Sequence, residues 1–292
     1  MAQSNQTFEI TAVLRGSQYV YRLEIEPGDG VPIRAQVANE SLTIDGSQVF
    51  AFSKGVVILT ANDSGAESSY TFDNHRSALT TIASTPENER IYRFVIWMGQ
   101  LLCFRLNPYA MQTVAESETT APAVDLSNFP AWYRHLVQSY PQETQEFLQD
   151  LRRTITGFRN LILENYSEVS RALVAAFDPP EGSLGPLKFG LGQLSDGQRC
   201  LIALYAVAHF VVARGGTVIL DEPDNFSDKA DSAGGQVILI SHHPEFMNQW
   251  APDCGYQSFR EGAGPVQVKR FLIEEETGLT PAELIARGWD DV

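Results

Sequence analysis

Apolar and polar residues alternate over roughly the first third of the chain, which is the pattern of strands with one buried face. The segments "TFEITAVL" and "YVYRLEIE" flank "RGSQ", and this arrangement predicts a β-hairpin. Further strands are predicted in residues 41–72, with turns at Asp45-Gly46, Lys54-Gly55 and Asp63-Ser64-Gly65. The apolar segment "ERIYRFVIWMGQLLCFRL" predicts a short helix, and its end is also compatible with a buried strand. We therefore expect residues 1–112 to form a β-rich part.

The pattern changes in the middle of the chain. Residues 113–126 are mostly small and polar, so they are the best candidate for a linker. Beyond them, apolar residues recur at helical spacing: Phe147, Leu148, Leu151, Ile155 and Phe158. We expect a linker and a helical lobe to occupy residues 113–182, with "DPPEGSLGP" interrupting the chain near the end of this region.

The last part, residues 183–292, alternates between helix-like and strand-like apolar segments. These are "LIALYAVAHFVV", "TVILDE", "GQVILISHH" and "VQVKRFLI". Such alternation is typical of a mainly parallel sheet flanked by helices, so we predict an α/β fold class. The tail "LIEEETGLTPAELIARGWDDV" predicts the end of a strand followed by a helix.

Composition and charge restrict the possible functions. A hydrophobic content of 43% with 20% charged residues is ordinary for a folded protein. The net charge of −15 argues against a surface built mainly to hold DNA phosphates, although binding depends on where charges lie. The three cysteines form no CxxC pair, which fits reduced thiols and offers no zinc site. With neither a membrane-length apolar run nor a signal peptide, we expect a soluble cytoplasmic protein without membrane association.

Two adjacent acids follow the apolar strand "TVIL". Asp221 and Glu222 are therefore predicted at the carboxyl end of a buried strand, where open α/β sheets bind ligands. Neighbouring carboxylates repel each other, and a Mg²⁺ ion held partly by Asp221, with Glu222 positioning water, would compensate for this repulsion. A solvated acidic turn without a ligand is the alternative.

A second polar cluster opens a helix. Ser195 followed three residues later by Gln198 forms a capping box, which predicts the start of a helix at Ser195. A helix N-terminus attracts phosphate, and Gly197 would allow a phosphate to approach closely. An ordinary capped core helix explains the same residues.

The third cluster follows the apolar run "QVILIS". His242 at the carboxyl end of this predicted strand could reach a phosphate or an attacking water. Adjacent strand residues point to opposite faces, so His242 and His243 would form a poor joint metal site. A purely structural role for both histidines is the alternative.

The order of the three clusters resembles that of ABC-type ATPase heads, in particular the SMC/RecF/OLD-related AAA ATPases. "LSDGQ" resembles their signature motif, "TVILDE" their Walker B strand and "ISHHPEF" their switch-histidine segment. "YTFDNHRSALTTI" is similar to the segment before their helical insertion. The resemblance implies a P-loop NTPase-like (ABC-type) head with an antiparallel β-rich subdomain and a helical insertion.

The resemblance also implies ATP hydrolysis with ATP and Mg²⁺ as cofactors. Asp221 would help to hold Mg²⁺, Glu222 would be the general base or water-orienting acid, and His242 would sense the γ-phosphate. In such families two heads enclose two nucleotides, so the signature residues would contact the phosphate bound by a second copy: Ser195, Asp196, Gly197 and Gln198. A homodimer is therefore expected, with a possible effector or nuclease partner and a role in DNA repair or anti-phage defence.

The chain departs from the family pattern at two points. It contains no GxxxxGK[ST] phosphate loop, and residues 223–236 leave little room for a crossover helix after the Walker B strand. We therefore expect the sequence to join segments of a longer protein, and we expect negligible ATP hydrolysis if the chain is complete. The alternative is a catalytically silent, ATPase-like module that binds a partner protein. Direct DNA binding ranks third, since no dense Lys/Arg stripe is present.

Overall fold

A six-stranded antiparallel sheet forms the first of two units in the computed structural model, Met1–Gln100, and each strand pairs with the next along the chain. The structure describes residues 5–28, 34–61, 65–179, 185–223, 235–260, 262, 264, 266–272 and 278–287. The strands and the helix of this unit are β1 (Gln6–Leu14), β2 (Ser17–Pro27), β3 (Ala35–Ile44), β4 (Ser47–Ser53), β5 (Val56–Thr60), β6 (Glu67–Thr71) and α1 (Glu89–Gly99).

Two-residue turns connect three of the hairpins. Both residues have positive φ in Arg15-Gly16, Asp45-Gly46 and Lys54-Gly55, which is the backbone of a type I′ turn. The predicted hairpin around "RGSQ" and the turns at Asp45 and Lys54 are thus confirmed. In the third predicted turn, Asp63 and Ser64 lie outside the described residues, and Gly65 has a φ of 63°.

The core of this unit lies between one face of the sheet and α1. Phe94 of α1 is fully buried, and its ring stacks on Tyr19 of β2 at 5.7 Å between ring centroids. Beside it lies the buried carboxylate of Glu40, which accepts hydrogen bonds from the Tyr21 hydroxyl (2.6 Å), the Ser77 hydroxyl (2.5 Å) and the Ala78 N–H (2.8 Å). A buried carboxylate needs such partners, so Glu40 ties β2 and β3 to the segment before α1.

The second unit, Leu101–Val292, contains the remaining elements. In chain order they are β7 (Leu101–Phe104), β8 (Val114–Ala115), α2 (Phe129–Ser139), α3 (Pro141–Thr154), β9 (Phe158–Asn165), β10 (Arg171–Phe177), β11 (Leu187–Gly190), α4 (Asp196–Phe210), β12 (Thr217–Asp221), β13 (Gln236–Ile240), α5 (Pro244–Cys254), β14 (Tyr256–Arg260), β15 (Val266–Arg270) and α6 (Pro281–Arg287). The chain is therefore a mixed α/β protein with antiparallel sheets and several helices, and the three-part division expected from the sequence stays a prediction. No helix in the described ranges is long and apolar enough to cross a membrane.

The parallel sheet of this unit consists of β7, β12 and β13, with β12 in the centre. Its inner face, which includes Phe104, Val218 and Leu220, packs into the same core as α2, α3 and α4. β12 and β13 are direct parallel neighbours although only residues 222–235 connect them. The sequence predicted too little room for a crossover helix in this connection. The prediction falls on residues 224–234, which lie outside the described residues.

Part of the predicted helical lobe is β-structure. α2 and α3 confirm helices up to Thr154, but β9 and β10 form an antiparallel pair, and β8 lies within the predicted linker. α3 ends at Thr154, and Gly157, with a φ of 74°, lies between this helix and β9. Ile155 and Phe158 are apolar because both are buried in the same core as α3, although neither belongs to that helix. Their helical spacing therefore does not indicate a helix.

The segment "VQVKRFLI" does not join the parallel sheet. β15 pairs with β14 in an antiparallel two-stranded sheet. The expectation of one mainly parallel sheet is therefore wrong for this segment. Its apolar residues alternate with Gln267 and Lys269, whereas a parallel strand buried on both faces is apolar throughout, and Val266 and Val268 are 61% and 65% exposed. α6 confirms the predicted helix in the tail.

Candidate functional site

The carboxyl ends of the three parallel strands meet at one edge of the sheet. Arg105 follows β7, Asp221 ends β12 and is followed by Glu222, and His242 lies two residues beyond β13. The register pairs Leu220 with Phe104 and Asp221 with Ile240. This edge is the usual ligand-binding side of an open α/β sheet.

Glu222 and His242 are in direct contact at this edge. The Glu222 Oε1 lies 2.7 Å from the His242 Nδ1, so Nδ1 carries the proton that is donated to the carboxylate. The Glu222 N–H also donates to the Ile240 carbonyl oxygen at 2.8 Å, which extends the β12–β13 ladder by one residue. The Glu222 side chain is 37% exposed and that of His242 is 85% exposed, so the pair is open to a ligand.

The backbone of Glu222 is strained. Its φ of 53° lies in the left-handed region, which costs a non-glycine residue about 1–2 kcal/mol. Three of the other described non-glycine residues with positive φ, Arg15, Asp45 and Lys54, occupy hairpin turns that require this conformation. Glu222 instead directly follows a central strand. Strain of this kind tends to occur at functional positions and supports a role for Glu222.

Asp221 has a different partner, which no motif in the sequence indicates. The Arg105 Nε lies 3.8 Å from the Asp221 Oδ2, and the Arg105 side chain is 79% exposed. The only sequence signal for Arg105 was its position directly after the apolar run "LLCF". The structure thus brings Asp221, Glu222 and His242 to one edge and adds a cation to them.

At this edge one carboxylate, that of Asp221, is available to a divalent cation. In the described part of the chain, no group of three or more His, Cys, Asp or Glu side chains is placed to hold a metal by itself. Mg²⁺ usually keeps several water ligands and binds through one or two carboxylates plus substrate phosphates. Asp221, which is one-third exposed, is the carboxylate that would hold it. The ion would neutralise phosphate charge there.

The second predicted cluster begins α4. Ser195 is the N-cap, as predicted: the Gln198 N–H donates to the Ser195 Oγ at 3.2 Å, and the Ser195 N–H donates to the Gln198 Oε1 at 3.1 Å. Ser195 and Gly197 are exposed. Apart from the chain neighbours of Gly197 and the adjacent backbone of α4, no atom of the described residues lies within 4 Å of the place where a Gly197 side chain would begin. The start of α4 therefore presents an open surface.

Asp196, in contrast, makes contacts within the chain. Its carboxylate pairs with the buried Arg199, which also donates to the Pro108 carbonyl oxygen. The Tyr109 hydroxyl donates to Asp196, and this hydrogen bond to a carboxylate raises the pKa of Tyr109. The Arg199 guanidinium lies 5.9 Å from the centre of the Tyr109 ring.

One short segment connects the two clusters. Arg105 contacts Asp221 at the sheet edge, whereas Pro108 and Tyr109 contact the start of α4. Four steps of 3.80 Å between consecutive Cα atoms bring Arg105 and Tyr109 within about 15 Å of each other. The start of α4 and the carboxyl end of β12 are therefore both contacted by the segment from Arg105 to Tyr109.

His243 does not belong to the site. Its Nδ1 accepts the Glu245 N–H at 3.3 Å and so caps α5, and its ring packs against Phe246. This agrees with the expectation that the two histidines do not act together.

Comparison of the sequence with protein-family models and with curated proteins finds no match.

Proposed function

We propose that the chain is part of an ABC-type, P-loop NTPase-like head that binds ATP with Mg²⁺ at the carboxyl edge of the parallel sheet and hydrolyses it slowly. The observation that carries this proposal is the 2.7 Å contact between Glu222 and His242, which joins the ends of two neighbouring parallel strands. The strained backbone of Glu222 and the nearby Asp221 support it.

In this proposal Glu222 orients the attacking water. His242 Nδ1 holds Oε1, while Oε2 accepts no hydrogen bond from the described residues and is free to accept one from water. The water oxygen attacks the γ-phosphorus, the bond from phosphorus to the ADP oxygen breaks, and the water proton passes to Oε2. Holding the carboxylate with His242 fixes the acceptor geometry, as general-base catalysis requires.

The exposed start of α4 would contact the phosphate bound by a second copy. Ser195 and Gly197 face solvent, and the unpaired N–H groups of the first helical turn attract anions. ATP would therefore drive the formation of a homodimer. An effector or nuclease partner, and a role in DNA repair or anti-phage defence, follow from the family resemblance alone.

The test is nucleotide binding combined with measurement of mass. Calorimetry with MgATP gives the affinity, and light scattering gives the mass of the 292-residue chain with and without MgATP. We expect MgATP, and not MgAMP, to raise the mass toward that of a dimer. Asp221→Asn is expected to weaken binding of MgATP by about tenfold, since a charged ligand contact is worth about 1.5–3 kcal/mol.

Asp178→Asn is the matched control, because Asp178 also pairs with an arginine, Arg159, at 3.4 Å but follows β10 and lies in no candidate site. This control should bind MgATP like the wild-type chain. A wild-type chain that binds no MgATP would contradict the proposal.

A catalytically silent interaction module is the second candidate. The missing GxxxxGK[ST] loop favours it, and so does the ion pair in which Arg105 already contacts Asp221. For such a module the mass and the binding of a partner protein would not respond to nucleotide.

A further inference from the structure

We propose that Arg105 is the phosphate-binding cation of this edge and that it exchanges Asp221 for phosphate when Mg²⁺ binds the carboxylate. This inference rests on the proposed function, and it assigns a role to a residue that the motifs do not include. It also provides a positive charge for phosphate binding in a chain that lacks the lysine of a GxxxxGK[ST] loop.

The position of Arg105 combines a fixed backbone with a free side chain. The Arg105 N–H donates to the Val124 carbonyl oxygen at 2.9 Å, so the main chain is held directly after β7. The side chain is 79% exposed and reaches the end of the neighbouring strand β12. A guanidinium in this place can reach a ligand bound at the edge without movement of the backbone.

The contact between Arg105 and Asp221 is weak. At 3.8 Å it is an ion pair and is too long for a hydrogen bond, and exposed pairs of this kind contribute little to stability. The guanidinium donates no hydrogen bond to any residue in the described ranges. Its donors therefore remain available for the forked, two-point binding of phosphate oxygens that suits arginine.

Arg105 and Mg²⁺ compete for the same carboxylate. Asp221 is the acid available to the ion, because Glu222 is already held by His242. When the ion takes Asp221, Arg105 loses its partner at the moment when phosphate oxygens arrive. Before nucleotide binding, Arg105 compensates the charge of Asp221. After binding, Mg²⁺ would compensate Asp221 and Arg105 would compensate the phosphate.

Arg199 contacts the segment that carries Arg105. It is buried and donates to the Pro108 carbonyl oxygen, and it also pairs with Asp196 at the start of α4. The segment is thus held at both ends, by the Val124 contact and by Arg199.

The experiment measures two affinities that should change in opposite directions. Mn²⁺ alone replaces Mg²⁺ as the metal probe, and free Mn²⁺ is followed by electron paramagnetic resonance without nucleotide. Binding of MgATP is measured separately by calorimetry in the presence of excess Mg²⁺. We expect Arg105→Gln to tighten Mn²⁺ binding about two- to fivefold, because a competing surface ion pair is removed. The same variant should weaken binding of MgATP about tenfold or more, because a charged contact to phosphate is lost.

Arg105→Lys should show intermediate values, since lysine keeps the charge but not the planar fork. Arg159→Gln removes the same charge from the exposed Arg159–Asp178 pair and should change neither affinity. Wild-type ATP affinity in Arg105→Gln would overturn this inference and leave the proposed function intact. A wild-type chain that binds no MgATP would overturn both. Circular dichroism verifies that each variant is folded.

Discussion

His242 donates a hydrogen bond to Glu222 although the two residues are 20 positions apart in the chain. The contact exists because β12 and β13 are parallel neighbours in register, so that both strands end at the same edge of the sheet. It also places a proton donor against a carboxylate whose backbone is held in a left-handed conformation. Glu222 thus combines a contact with His242, a strained backbone and a partly exposed side chain.

The strain at Glu222 gives a prediction that is independent of nucleotide. Replacement by glycine removes the left-handed penalty, whereas replacement by alanine keeps it, and both lose the contact with His242. We expect Glu222→Gly to be more stable than Glu222→Ala by about 1 kcal/mol. Urea denaturation of the two variants measures this difference.

Asp221 provides the control for this comparison, because it lies in the regular strand β12. There the order should reverse, with Asp221→Ala more stable than Asp221→Gly by about 0.5–1 kcal/mol. Equal stability of Glu222→Gly and Glu222→Ala would mean that the left-handed backbone carries no strain.

The buried carboxylate in the first unit predicts different results for two tyrosines of β2. Tyr21 donates to Glu40 at 2.6 Å, so Tyr21→Phe removes a buried hydrogen bond to an acidic group and should cost about 1.5–3 kcal/mol. Burial, followed by the contact with Glu40, raises the pKa of Tyr21, so its hydroxyl keeps its proton and donates. The free energy of unfolding in urea measures the loss.

Tyr19→Phe is the matched control on the same strand. The Tyr19 hydroxyl is buried and has no hydrogen-bond partner among the described residues. Its removal should leave stability unchanged or raise it, because an unpaired buried hydroxyl is unfavourable. A loss in Tyr19→Phe as large as that in Tyr21→Phe would show that the contact with Glu40 is not the source of the difference.

Asp45 predicts a dependence of stability on pH. Its carboxylate accepts the Gln18 N–H at 2.9 Å and pairs with Arg90 at 2.7 Å. The hydrogen bond from Gln18, with smaller contributions from Ser17 and Arg90, lowers the pKa of Asp45. Because the folded pKa lies below the unfolded one, the stabilisation is fully present above the unfolded pKa and is lost as pH falls through the folded pKa.

Asp45→Asn isolates this effect, since asparagine also tolerates the positive φ of the turn. The melting temperature of the wild-type chain should exceed that of Asp45→Asn near neutral pH. The difference should shrink as pH falls below about 4, the usual pKa of aspartate. A difference that is constant from pH 7 to the lowest pH at which both variants fold would contradict the assignment.

Ser195 separates capping from ligand contact. Ser195→Ala removes the N-cap of α4 and should cost about 1 kcal/mol in thermal or urea unfolding. Ser195→Asp preserves a capping oxygen and should fold normally, but it places a negative charge toward the phosphate of the second copy. We therefore expect it to lose the rise in mass with MgATP, and a normal rise in light scattering would argue against the proposed dimer surface.

The parts of the fold that could be predicted from the sequence depend on local chemistry. The pairs Asp45-Gly46 and Lys54-Gly55 determine their own turns, and the Ser195–Gln198 box determines the start of α4. The apolar runs before Asp221 and His242 placed both residues at strand ends without help from distant contacts.

The rest depends on contacts between distant positions. Arg105 is a candidate site residue because it contacts Asp221. Arg105 follows β7 and Asp221 ends β12, which are far apart in the chain, so no local sequence pattern indicates this pairing. β9 and β10 were expected to be helical because the apolar residues up to Phe158 recur at helical spacing, and only the antiparallel pairing shows that this region forms strands. The buried cluster around Glu40 joins residues from three separate segments in the same way.

The order of strand pairing has a consequence for synthesis on the ribosome. Every described strand of the first sheet finds its partner next in the chain, so its hairpins can form as they emerge. Among the described strands β7 pairs with β12 alone, and β12 emerges after α2, α3 and α4 have been made. The β7 backbone therefore stays without a strand partner during much of translation. Unpaired strand edges favour aggregation, so we expect the chain to need most protection from aggregation while its second half is being synthesised.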